Sequence, residues 1–437
     1  MTLLDLTARV ATDDRLATLP VAVIGAGPIG LAAAANLAER GIRFTILEAG
    51  ADAAASVRLW GHTRLFSPWQ HLIDPAARRL LEQAGWGRPA DEGRMPRGHE
   101  LVDDYLSPLA ALDAISPHLR YGARVVAVSR EGMDRTRTAG RATTPFVVRI
   151  ETADGGLEDL AARAVIDASG TYTTPNPLSS SGLDPLGVAD VAERVLHALP
   201  DVLGADRAHF AGAHTTVVGA GHSAANTLLA LAELARLEPG TRVTWLIRNA
   251  GAVRVSSSSD DELAGRAELG SVLDRLVADG EVDKVDSFEI SGLAAHADGI
   301  RLTGVRHGVP ATHDTDLVVN ATGFRPDLGM LREIRLGLDD IVEAPVRLAP
   351  LIDPNEHSCG TVAPHGFDEL RHPEAGFFIV GMKTYGRAPT FLLATGYEQV
   401  RSVAAWLDGD MRAATDVRLD LPATGVCSTD IGGGSCC

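Results

Sequence analysis

Short apolar runs that lead into glycine turns and then into segments of helical spacing set the pattern of this chain. Val21–Ile24 is such a run, GAGPIG follows it, Leu31–Arg40 reads as a helix that stops before Gly41, and Phe44–Leu47 reads as the next strand. The same order returns with Thr215–Val218, GAGHSA, a helix across Asn226–Leu237, a stop at Pro239-Gly240 and a strand Arg242–Ile247. Two strand–turn–helix–strand openings predict an α/β chain with two Rossmann-like dinucleotide-binding units. Two further strands end in near-identical turns: Val165–Asp167 before Ala168-Ser169-Gly170, and Leu317–Asn320 before Ala321-Thr322-Gly323. Each lies downstream of one glycine motif. A strand Phe377–Val380 ends at Gly381, and a last helix starts near Thr390 and runs through Glu398 to Trp406. Between these elements, Pro175–Gly187 reads as a crossover, Arg130–Arg141 as a polar hairpin loop, and Ser256–Asp261 and the tail from Pro422 as flexible.

Composition narrows the class. Of 437 residues, 45% are hydrophobic and 22% charged, which is ordinary for a folded soluble chain. With 40 Lys and Arg against 57 Asp and Glu, the formal charge is −17, a surface that repels nucleic acid and anionic membrane. No apolar run reaches the ~18 residues that a membrane span needs. Asp5, Asp13 and Asp14 stand where a signal peptide would be basic and apolar, so a cytoplasmic location is expected.

The first glycine motif carries specific chemistry. Gly25 permits the tight turn, Gly27 lets the backbone approach a pyrophosphate, and Gly30 lets the helix pack on the strand, with Pro28 and Ile29 between them as further cofactor-binding candidates. Glu48 ends the second strand, where a carboxylate can hold both ribose hydroxyls. The second motif offers Gly219, Gly221, His222, Ser223 and Ala224. Its second strand ends in Arg248 rather than an acid. An arginine there suits a 2′-phosphate, which points to NADPH over NADH, with Arg254 as a secondary candidate.

Taken together, Glu48-terminated GAGPIG, the second GAGHSA, and the ASGTY and ATGFRP turns resemble the two-dinucleotide-domain flavoproteins. Within these, the chain is most similar to the flavin-containing monooxygenase group. The resemblance implies a glutathione-reductase-like FAD domain, residues 19–205 and 316–415, with an inserted NADPH domain, 206–315. Residues 1–18 would form an N-terminal extension and 416–437 a cysteine-containing tail. It further implies that Trp60, Ser169, Gly170, Ala321, Thr322, Gly323, Gly381, Thr390 and Phe391 neighbour the cofactors. Lys383, Tyr385 and Arg387 would lie near the flavin ring or NADPH. His62, His71 and Trp69 share the loop of Trp60 that packs near the flavin in this superfamily. The reaction implied is hydride transfer from NADPH to FAD, then transfer of one oxygen atom from a flavin C4a-hydroperoxide to a soft sulfur, nitrogen or metalloid centre. Its partners would be a small-molecule substrate and dioxygen, with a homodimer left open.

The cysteines sharpen the choice. None precedes Cys359, so the paired redox cysteines of the disulfide-reductase branch are missing. Cys427, Cys436 and Cys437 cluster at the end, and thiolates suit a soft ion or metalloid. Pro350–Gly366 together with MKTYGRAPTFLLATGYEQVRS resembles flavoprotein monooxygenases of arsenic-resistance clusters. That resemblance implies capture of trivalent arsenic by the tail cysteines and delivery past Cys359. Two alternatives remain: an NADPH-dependent flavin reductase or oxidase without oxygen insertion, and a thiol-rich metalloid-binding protein on a vestigial flavoprotein fold.

Overall fold

A computed structural model of the chain describes residues 12–250, 264–354, 359–360, 364–388, 391–418 and 426–427. The loop expected at Ser256–Asp261 lies outside the described residues, as does the tail except for its strand Val426–Cys427.

Five parallel strands build the first sheet, in the order Phe377–Ile379, Ala164–Asp167, Val21–Ile24, Phe44–Leu47, Leu119–Arg120. Val21 pairs with Phe44 on one side and Ala164 on the other, so the strand feeding the first glycine turn is buried along its length. Alternate residues of a strand point to opposite faces. Val21, Val23, Ile46, Ile166 and Phe378 therefore pack on the helical layer, whose helix Pro28–Glu39 contributes Leu31 and Leu37. Ala32 to Ala35 are fully buried there, because small side chains let the helix axis lie close to the sheet. Ala22, Ile24, Leu47, Val165 and Phe377 face the other way. They pack on Val128, Phe146, Val148 and Ile150 of an antiparallel sheet formed by Ala123–Arg130, Phe146–Thr152 and Leu157–Ala162.

The plan repeats in the second sheet. Its parallel order is Asp283–Val285, Arg242–Leu246, His214–Val218, Leu317–Asn320, Val195–His197. Val217, Val243, Trp245 and Val319 meet Ala224, Leu228 and Leu231 of the helix His222–Leu237. Val218, Leu246 and Val318 meet Phe288, Ile290, Ile300 and Leu302 of a second antiparallel sheet.

This pairing corrects the expected boundaries. Leu317–Asn320, assigned above to the FAD unit with residues 316–415, lies inside the second sheet between His214–Val218 and Val195–His197. Val195–His197, assigned with residues 19–205, pairs there as well. Both were misplaced because parallel neighbours are chosen by sheet register over long separations, which proximity along the chain does not reveal. We therefore propose that the inserted unit runs from about Val195 to Asn320, with boundaries set by its strands. The two connections lie side by side: Asn176 N–H donates to Gly323 O (2.9 Å) and Arg325 N–H to Thr174 O (3.0 Å). The rings of Tyr172, His197 and Phe324 cluster at this crossing with centroids 4.6 to 5.5 Å apart, His197 and Phe324 stacked and Tyr172 tilted against both.

The segment expected as a polar hairpin loop, Arg130–Arg141, is not simply solvated. Arg130 and Arg141 are both buried and grip the buried Glu374 from two sides, at 2.8 and 2.9 Å. Burial would push the Glu374 carboxyl up, but the hydrogen bonds from Arg141 and Arg130 outweigh it and hold the group below the usual range. The loop is thereby tied to the chain that enters the edge strand Phe377–Ile379.

A second buried carboxyl joins the helical layer. Asp74 caps the helix Pro75–Gln83, accepting from Ala77 N–H at 2.8 Å, and receives Asn36 Nδ2 from the first glycine-motif helix. Desolvation pushes its pKa up from 3.8 to about 7, against the opposing pull of the Ala77 and Asn36 hydrogen bonds. A raised folded-state pKa means stability is fully present below the unfolded value, 3.8, and is lost as pH rises through about 7. At ~1.4 kcal/mol per pKa unit the loss amounts to a few kcal/mol. Between pH 4.5 and 8 the stability of the native protein relative to Asp74→Asn, read from paired urea midpoints, should decline, because only the native protein loses this contribution.

Candidate functional site

The first site is assembled at the carboxyl ends of the first sheet. Gly25 turns with φ +97°, and a Cβ there would lie 2.9 Å from Ala168 O, so only glycine fits between the two strand ends. A Cβ on Gly30 would overlap Gly25 O, whereas one on Gly27 would meet nothing within 4 Å. That open space lies in front of the N-terminus of the helix Pro28–Glu39, where first-turn N–H groups have no intrahelical acceptor. Glu48 is half-buried at the end of the second strand, and its two oxygens accept from Ala26 N–H and Gly50 N–H, each at 2.7 Å. Each carboxylate oxygen keeps a second lone pair, enough to receive ribose hydroxyls.

Next to this turn lies a buried ion pair. Lys383 Nζ donates to Asp167 Oδ2 at 2.7 Å and to Ser169 Oγ at 3.1 Å, with both charged side chains essentially without solvent contact. Asp167 Oδ1 also accepts from Ser169 Oγ at 2.6 Å and Ser169 N–H at 3.1 Å. The pair thus sets the shape of the Ala168-Ser169-Gly170 turn, on which Gly25 rests. The last helix, Leu393–Leu407, joins from behind. Gln399 Oε1 accepts from Gly381 N–H at 2.8 Å, and Ile29 occupies the room that a Cβ on Gly381 or Gly396 would need.

The second site repeats the geometry. Gly219 has φ +135°, and a Cβ there would overlap Ala321 O, just as Gly25 abuts Ala168. Gly221 again faces open space, at the N-terminus of His222–Leu237. Ala224 is fully buried where the first motif has its third glycine, and Trp245 Nε1 donates to Gly219 O at 2.7 Å. Asn320 Oδ1 accepts from Thr322 Oγ1 at 2.7 Å and Thr322 N–H at 3.3 Å, the same turn device as Asp167 with Ser169. Arg248 is exposed two residues beyond the strand Arg242–Leu246.

The other expected site residues divide. Trp60 and Phe391 are half-buried, and Phe391 packs edge-on to Tyr385 at 5.1 Å. Tyr385 is buried and burial pushes its hydroxyl pKa up, so it stays neutral. Arg387 instead faces solvent and pairs with Glu343 at 2.6 Å. Cys359 lies on the strand Cys359–Gly360, in antiparallel register opposite Cys427. Thr390, Cys436, Cys437 and Arg254 lie outside the described residues. The sequence reads Asp167 only as a strand end and does not single out Gln399. The shared D-A-S-G and N-A-T-G pattern was a usable signal for Asp167, whereas nothing local marks Gln399.

Whether the residues fit a bound nucleotide can be tested on this structure. Two buried polar atoms of the first unit, Trp69 Nε1 and Thr384 Oγ1, have no hydrogen-bond partner among the described residues. Buried polar groups are normally satisfied, so such atoms call for a bound polar group. With the open space at Gly27 and the Glu48 carboxylate, the donor set fits FAD. Gly221 and the second helix N-terminus fit the pyrophosphate of a second dinucleotide.

Comparisons with known proteins agree. The NAD(P)-binding Rossmann-like domain family matches residues 23–84. Among solved structures, bacillithiol disulfide reductase from Bacillus cereus superposes with TM-score 0.66 at 20% identity, covering 90% of this chain and 99% of that one. The cadaverine monooxygenase of desferrioxamine biosynthesis from Erwinia amylovora gives TM-score 0.64 at 15% identity, over 94% and 99% of the two chains. These likenesses establish the fold. Indole-3-pyruvate monooxygenase YUCCA1 from Oryza sativa subsp. japonica is 30% identical over 337 residues, 76% of this chain and 72% of the relative. The chain therefore belongs to the flavin monooxygenase family and is an oxidoreductase that uses FAD and NADP(H).

Proposed function

We propose that the protein is an NADPH-dependent monooxygenase that inserts one oxygen atom of dioxygen into a soft sulfur, nitrogen or metalloid nucleophile. The observation that carries this reading is the pair of open glycine bends, Gly27 and Gly221, each at a helix N-terminus and each braced by its own Asx-type turn. Bound FAD supplies the redox chemistry, accepting a hydride from NADPH and activating dioxygen. The chain supplies placement. Gly27 and the first helix hold one pyrophosphate, Glu48 holds a ribose, and Gly221 with Arg248 holds the phosphates of NADPH. Lys383, buried against Asp167 and Ser169, keeps the turn beside Gly25 rigid. Arsenite and thioethers carry a free lone pair and attack without prior deprotonation, whereas amines and thiols react through their deprotonated forms.

The overall balance is one NADPH, one proton, one dioxygen and the substrate giving NADP+, water and the oxygenated product. The Cys359–Cys427 register favours trivalent arsenic within this substrate class, because it assigns two thiol-bearing residues to one ladder position. The test measures NADPH consumed, peroxide released and product formed with arsenite, thiols and amines in turn. Expected is a substrate that raises NADPH consumption while peroxide falls, with the arsenite response weakened in Cys427→Ser. Peroxide equal to NADPH with every substrate would make the enzyme an oxidase instead.

A further inference from the structure

Phe66 belongs to neither glycine motif, yet it touches the second one. It sits in the loop between the helix Ala55–Leu59 and the turn Trp69–His71, and its ring lies 5.0 Å from that of His222, with planes tilted by 31°. His222 opens the second glycine-motif helix and directly follows Gly221, whose front is open. The loop is held on both sides of Phe66: Leu65 N–H donates to Pro96 O at 2.9 Å, and Trp69 N–H to Arg94 O at 3.1 Å. Trp69 itself is fully buried, so Phe66 is presented to His222 from an anchored base.

We propose that Phe66 is a positioning residue for NADPH, acting through its contact with His222 as the closing wall between the two nucleotide sites. This rests on the monooxygenase reading given above. The Phe66–His222 contact lies at the helix N-terminus whose N–H groups would seat a pyrophosphate. An apolar ring offers that phosphate no hydrogen bond. It excludes water and holds the first-unit loop against the second motif, so the bound dinucleotide stays seated between hydride transfer and oxygenation. If the wall opens, NADP+ leaves early. Electrons from NADPH then reach dioxygen without a substrate, and NADPH, a proton and dioxygen give NADP+ and hydrogen peroxide.

The test uses the FAD-loaded full chain. Phe66→Ala is expected to raise KM for NADPH by about threefold to tenfold, the worth of one aromatic contact, and to raise the peroxide fraction severalfold. FAD content and Tm should stay at native values, and Phe66→Tyr should restore both readouts. Unchanged KM and unchanged peroxide in an FAD-replete Phe66→Ala protein would overturn the proposal. Should that variant lose FAD, Phe66→Leu keeps the apolar volume without the ring, and the same two readouts decide. Because KM is read from NADPH oxidation alone, this outcome is separable from failure to find an oxygenated product.

Discussion

Replacing Lys383 by methionine is expected to lower the stability of the protein by about 3–5 kcal/mol, the usual cost of stranding one member of a buried ion pair. Asp167 is wholly buried and receives Lys383 Nζ at 2.7 Å, so the variant leaves a buried carboxylate with Ser169 as its remaining side-chain hydrogen-bond donor among the described residues. The turn it shapes is the one against which Gly25 packs, so FAD should be lost together with stability. Pairing the change with Asp167→Asn removes the stranded charge, and much of the loss should return. Urea midpoints and the flavin absorbance of purified protein read both effects. A single variant within ~1 kcal/mol of the native protein would show that the pair is not structural.

Two glycines of one motif are expected to fail in different ways. Alanine at Gly27 meets no protein atom within 4 Å, so Gly27→Ala should fold with native stability as apoprotein. Its methyl group fills the space kept for the pyrophosphate, and FAD affinity should fall about a hundredfold, or roughly 2.7 kcal/mol. Alanine at Gly30 would overlap Gly25 O, so Gly30→Ala must push the helix off the strand and should lose about 1–3 kcal/mol even without cofactor. Apoprotein melts and FAD titrations on both variants separate the two effects. Equal Tm losses would mean that Gly27 is a packing glycine as well.

Much of this architecture is legible along the chain because it is local. The strands Val21–Ile24, Phe44–Leu47 and Leu317–Asn320 occur where apolar runs precede glycine turns, and Glu48 stands at the strand end where its carboxylate is used. The positive φ of Gly25 and Gly219 follows from the turn itself. Boundaries between the units were less legible, because Val195–His197 and Leu317–Asn320 find their partners by parallel register across a long crossover.

What the amino-acid order determined on its own is the repeated strand–glycine–helix unit and the placement of an acid after one copy and an arginine after the other. These depend on backbone torsions and on neighbours a few residues away. Only the tertiary structure decided that Lys383 meets Asp167 across 216 residues, that Arg130 and Arg141 close on Glu374, and that Phe66 meets His222. Each of those contacts joins side chains that no periodicity or spacing relates. They form because sheet order and helix packing bring distant strand ends to one edge, where a buried charge must find its counter-charge or remain costly.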